Sequence, residues 1–89
     1  MITMEVDIYR DDGSDSDPIT CTAESTTGNI EDLKSELDEV IISTLKAHKD
    51  DSGDYIINIQ FEEDGEYLDG DNDIPCYCDI QNETVTWKD

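Results

Sequence analysis

Residues 29–53 read NIEDLKSELDEVIISTLKAHKDDSG. Within them Ile30, Leu33, Leu37, Val40, Ile41, Thr44, Leu45 and His48 recur at steps of three and four. That spacing puts side chains on one stripe of a helix. Asn29 is placed to cap the N-terminus, and Glu31 and Asp32 fall in the first turn, where the helix dipole favours anions. Lys46, His48 and Lys49 fill the last turn, and Gly53 ends the segment. A single amphipathic helix is expected here.

The flanking segments have a different period. In ITMEVDIY, Ile2, Met4, Val6 and Ile8 share one face while Thr3, Glu5, Asp7 and Tyr9 share the other, the pattern of a half-buried strand. ITCTAES alternates again, with Ile19, Cys21 and Ala23 inward. The acidic, turn-rich RDDGSDSDP lies between these two runs, so they read as a hairpin with a long loop. After the helix, DYIINIQFE points Tyr55, Ile57, Ile59 and Phe61 inward. Asp64-Gly65 then signals a tight turn into EYLD, a candidate short extra strand. GDND reads as a connection, IPCYCDI as a strand with Cys76, Cys78 and Ile80 on one side, and ETVTWK as the last strand. Pro75 cannot donate to a ladder, which assigns it to a strand start or an edge.

The expected fold class is therefore α+β: one antiparallel sheet in β-β-α-β-β-β order, with the helix across one face. Residues 1–89 show no internal repeat or linker, and a single domain is expected.

Charge dominates the composition. The chain holds 25 acidic and 5 basic residues, a formal net charge of −20. A small domain ordinarily carries a magnitude of about 2–8. The sign argues against direct binding to nucleic acid or anionic membranes, both of which repel such a chain, and favours a basic protein partner. Disorder is the other common outcome of high charge, but the clean apolar periodicities argue against it. Three cysteines, Cys21, Cys76 and Cys78, are read as small buried hydrophobes. With neither a secretory pattern nor an apolar span in the sequence, a cytosolic setting is expected.

Catalytic and metal chemistry find little support. DGDND suggests a calcium loop, but counting from Asp69 puts Ile74 and Ile80 where an EF-hand needs Gly and Glu. Only weak, nonspecific divalent binding is expected of such clusters. Cys76-x-Cys78 with one further cysteine and the lone His48 lacks the ligand set of structural zinc. No nucleophile–base pairing and no phosphate-cradling glycine loop is present. The expectation is a non-enzymatic protein without cofactor or metal.

What remains is where the carboxylates fall. The helix presents Glu31, Asp32, Glu36, Asp38 and Glu39 outward, with Lys34 as the lone relief. The first loop holds Asp11, Asp12, Asp15 and Asp17, and residues 62–73 hold Glu62, Glu63, Asp64, Glu66, Asp69, Asp71 and Asp73. A compact chain of this length is about 30 Å across. That length of duplex carries on the order of 18 phosphates, close to the net charge here. The three clusters are the candidate partner-binding residues, with Tyr9, Tyr67 and Tyr77 as candidate apolar contacts at the rim.

In size, charge and the acidic tracts at 11–17, 31–39 and 62–73, the chain resembles the phage- and mobile-element-encoded DNA mimics: anti-CRISPR proteins, anti-restriction proteins and uracil-glycosylase inhibitors. The likeness is one of type and carries over no family motif. It implies an inhibitor that occupies the nucleic-acid groove of a host enzyme, a CRISPR effector or restriction enzyme. Two other readings stand beside it: an acidic interaction or regulatory module, and a salt-adapted domain. Self-repulsion disfavours tight dimers through acidic faces, so a monomer, or a weak dimer through a sheet edge, is expected.

Overall fold

The computed structural model describes residues 1–11, 17–25 and 27–88. Alternation in the sequence becomes a sheet with one covered face. Strand β1 (Ile2–Arg10) buries Ile2, Met4, Val6 and Ile8, while Thr3, Glu5, Asp7 and Tyr9 stay half-buried on the other side. Strand β2 (Ile19–Ser25) pairs antiparallel with β1, setting Ile8 opposite Ile19 and Met4 opposite Ala23. Strand β3 (Gly53–Glu63) flanks β1 on the other side and buries Tyr55, Ile57, Ile59 and Phe61. Strands β4 (Glu66–Asp79) and β5 (Thr84–Trp87) complete one antiparallel sheet of order β2-β1-β3-β4-β5. The fold is α+β, as expected. Each fully buried Ile or Met contributes roughly 1.5–3 kcal/mol of transfer free energy. The core is one continuous cluster between sheet and helices. The radius of gyration is 12.8 Å. No helix among the described residues is long and apolar enough to cross a membrane.

The expected single helix is two: α1 (Ile30–Ser35) and α2 (Leu37–Ala47). Asn29 does cap the first, its side chain accepting the Glu31 N–H at 3.0 Å. At the break the Ser35 hydroxyl donates to the Asp32 carbonyl at 2.7 Å, and the Glu36 N–H bonds Leu33 O at 3.1 Å where an unbroken helix would use Asp32 O. Glu36 itself stays in the right-handed region, at φ −95° and ψ −3°. The far end also differs from expectation. Lys49 takes φ 57°, its N–H bonding Lys46 O at 3.0 Å and the Asp50 N–H bonding Leu45 O at 2.9 Å. These are the paired bonds of a Schellman cap, with lysine where glycine is usual. Gly53 opens β3 rather than closing the helix. His48 is exposed, and Ile42, outside the expected stripe, is buried. It widens the apolar face of α2, which touches both β2 and β5.

Strand β4 departs furthest from the sequence reading. Asp64 (φ 51°) and Gly65 (φ 87°) make the expected two-residue turn. Beyond it, EYLD, GDND and IPCYCD form one strand of 14 residues. GDND is not a connection. Two bulges hide the continuity: Phe61 pairs Asp69 but Glu62 pairs Tyr67, and Ile57 pairs Ile74 but Ile59 pairs Asp71. At the second bulge Asp73 adopts φ 57°, and its N–H is taken by the Asn58 side chain at 2.8 Å. Gly70 is forced by space, since a Cβ there would lie 2.8 Å from Ile59 O and 3.0 Å from the Tyr67 hydroxyl. Pro75 sits inside the strand, just beyond the Cys76–Trp87 pair where β5 stops shielding β4. Its carbonyl still accepts the Lys88 N–H at 2.9 Å, so the position of its absent N–H falls at the end of the β5 ladder and not against β3.

Candidate partner-binding surface

Pairing partners in an antiparallel sheet project to the same face, so the register sorts the carboxylates. Glu63 stands opposite Ile2 and Glu66, Asp69 opposite Phe61, and Asp71 opposite Ile59. Ile2, Phe61 and Ile59 face the helices. Glu63, Glu66, Asp69 and Asp71 therefore project from the helix-bearing side. Glu66, Asp69 and Asp71 lie along a length of β4 where residues 66–69 and 71–73 are all exposed, and Glu63 ends β3 beside them. Glu31, Asp32, Glu36, Asp38 and Glu39 are exposed on the helices of that same side.

A shallow groove of about 310 Å³ lies beside Asp69 and Asp71, lined also by Lys34, Leu37, Ile59, Phe61, Gly70 and Ile74. The helix carboxylates border other grooves, Asp32 and Glu36 with Glu24, and Asp38 and Glu39 with Lys46 and Glu83. Lys34 Nζ lies 5.8 Å from the Phe61 ring centroid and 3.9 Å from Glu31. One lysine thus stands between an acidic helix and an acidic strand. Two further helix carboxylates are engaged: Asp38 accepts the Trp87 indole N–H at 3.0 Å, and Asp32 accepts the Thr27 hydroxyl. Asp69 and Asp71 each hold the next backbone N–H, at 2.8 and 3.1 Å. Each bond ties one carboxylate oxygen to the strand's own backbone.

The remaining sequence candidates do not join this surface. Glu62 pairs Thr3 and Tyr67 on the open face of the sheet. Asp64 sits at the hairpin tip, 3.8 Å from the terminal amine, and Asp73 is turned into its bulge. Asp11, whose N–H bonds Asp54 O at 3.1 Å, and Asp17 lie at the opposite end of β1 and β2. Asp12 and Asp15 lie outside the described residues. Tyr9, Tyr67 and Tyr77 all belong to the open face, Tyr67 with its ring against Gly70. They do not rim the helix-side carboxylates.

Cations gather away from the groove. Arg10 pairs with Asp50, Lys46 with Glu83 and Lys88 with Asp54. Lys46 holds the Glu83 carboxyl below the usual carboxylate range, and the Asp54 carboxylate raises Lys88. On the open face Asp7 accepts from Thr20 at 2.7 Å, and the Asn82 side chain lowers Asp79 by donating to it at 2.7 Å. Among the described residues, Glu36, Glu39, Glu63 and Glu66 accept no side-chain hydrogen bond and make no ion pair. Sequence reasoning found these residues but missed their sorting, because the bulges in β4 break the alternation that assigns a face.

Cys76 and Cys78 are buried side by side, Sγ to Sγ 3.8 Å. Their hydrogen bond and burial push the Cys78 thiol far up, while the same bond lowers Cys76; both side chains are fully enclosed in the core. Cys21, half-buried, is raised chiefly by burial. No family model matches the chain, nor does any curated protein or solved structure.

Proposed function

We propose that this chain is a non-enzymatic acidic inhibitor of the anti-CRISPR kind, which occupies the nucleic-acid groove of a host defence nuclease complex. The observation that carries this reading is the row Glu66, Asp69 and Asp71 on the uncovered length of β4, of which Asp69 and Asp71 border a groove whose one cation is Lys34. Asp69 and Asp71, two residues apart on one strand, stand about 6.8 Å apart along it, a short row of anions for a surface made to meet phosphates. Arginines and lysines shaped for phosphates pair with these carboxylates, and counterions leave both surfaces as they do so. Apolar side chains of the partner reach the groove floor at Leu37 and Phe61.

A second reading rests on the same strand. Charges and bulges on an exposed edge also prevent stray strand pairing, and an acidic interaction module needs nothing more. A gel-shift competition separates the two, using a guide-loaded CRISPR effector and its labelled target duplex at low and moderate salt. Loss of the shifted band on adding this chain, weakening as salt rises, supports mimicry. A band unchanged at saturating protein, for effectors of several types, leaves the adaptor reading.

A further inference from the structure

The sheet has a second exposed edge, built on opposite lines. Strand β2 is a sheet edge next to β1. It runs ITCTAES without proline, lysine, arginine or a bulge, in unbroken one-to-one register with β1 from Ile19 to Ser25. Its side chains alternate half-buried and exposed until the buried Ser25. One carboxylate, Glu24, falls in seven residues, in a chain where 25 of 89 are acidic. Among the described residues, no backbone hydrogen bond beyond the β1 ladder engages β2. A regular edge of this kind, with one charged side chain in the strand itself, is a template for strand addition.

We propose that β2 pairs antiparallel with β2 of a second copy, joining two five-stranded sheets across a twofold axis at Thr22. Full overlap of the seven residues sets Thr22 against Thr22, Cys21 against Ala23 and Thr20 against Glu24 of the second copy. No like charges stand directly opposite, as an isologous contact requires. A basic strand of another protein is matched instead to the β4 edge, where Glu66, Asp69 and Asp71 wait. Seven residues span about 24 Å, and one such pair buries less than the roughly 1,200 Å² at which stable interfaces begin. The dimer is therefore reversible. Each copy carries −20, and Glu24 of one approaches Asp7 of the other across Thr20. Salt screens this repulsion, so association strengthens with salt, opposite to the competition with nucleic acid.

The test is sedimentation velocity over a concentration series up to the solubility limit, in low and in molar salt. The wild-type chain moves from monomer toward dimer as concentration and salt rise. Thr22→Glu and Thr22→Lys, each confirmed folded by circular dichroism, stay monomeric because each sets like charges face to face. Their equimolar mixture restores the dimer. Because Thr22 also stands opposite Glu5, the lysine variant serves as the folded one if the glutamate variant is weakened, paired then with wild type as reference. A wild-type chain monomeric throughout, or a dimer that Thr22→Lys leaves intact, overturns the proposal. Neither result bears on groove competition, which the gel shift reads separately.

Discussion

The two edges of this sheet are made from the same backbone and solve different problems. Strand β2 is short, regular and nearly neutral, while the uncovered length of β4 is bulged twice and carries Glu66, Asp69 and Asp71 on the helix side. Net charge alone does not explain the contrast, since both edges belong to one chain. The carboxylates of β4 stand where β5 fails to reach, because β5 pairs only Cys76 to Asp79. Exposure of an edge does not explain the contrast either, since β2 is exposed too; the placing of the β4 carboxylates follows its bulges.

Breaking the β4 geometry tests that contrast most severely. Gly70→Val places a branched side chain against Ile59 O and the Tyr67 ring. Overpacking of this kind costs about 1–3 kcal/mol, read as a lower denaturant midpoint. Gly53→Ala, where a Cβ meets nothing within 4 Å, should shift the midpoint far less. Equal effects would mean that β4 yields at Gly70 and its carboxylates are not fixed.

A smaller change releases the second bulge. Asn58→Ala removes the acceptor that holds the Asp73 N–H and should cost about 0.5–1.5 kcal/mol. Hydrogen exchange should quicken at residues 71–74 and remain unchanged in β2.

The smallest expected effect concerns the shielded end of β4. Glu83, in the turn before β5, pairs with Lys46 of α2 and has its carboxyl lowered by that lysine. A lowered folded value adds stability that is present above the ordinary carboxylate range and is lost as pH falls through the folded value. Glu83→Gln should therefore lower the midpoint slightly near neutral pH and match wild type at strongly acidic pH. Both residues are largely exposed, so salt should shrink the difference.

Much of this arrangement was legible in the sequence, for reasons specific to each element. Strands β1 and β3 announce themselves because the helices cover one face, leaving strict alternation between buried and half-buried residues. The cap at Asn29 and the Asp64-Gly65 turn rest on local chemistry that needs no tertiary context. Residues 66–73 hid their strand because neither face is covered there, so nothing apolar marks the inward side. The break at Glu36 is a change of backbone bonding with no glycine or proline in the sequence to mark it. The end at Lys49 depends on a lysine adopting a conformation usually left to glycine. Among the candidate residues, the sequence supplied the carboxylates but not their faces: Glu62 and the tyrosines project opposite to Asp69 and Asp71, and Asp11 and Asp17 stand at the far end.

The account stands on the side from which the carboxylates project, and two variants of equal charge change test it. One is Glu66→Gln, Asp69→Asn and Asp71→Asn on the helix side; the other is Glu5→Gln, Glu24→Gln and Glu62→Gln on the open face. Both are measured by competition against a labelled target duplex for the same guide-loaded effector at one salt concentration. The helix-side variant should lose most of its ability to displace the duplex, while the open-face variant stays close to wild type. Equal weakening by the two would contradict a phosphate-like surface and reduce the effect to bulk charge.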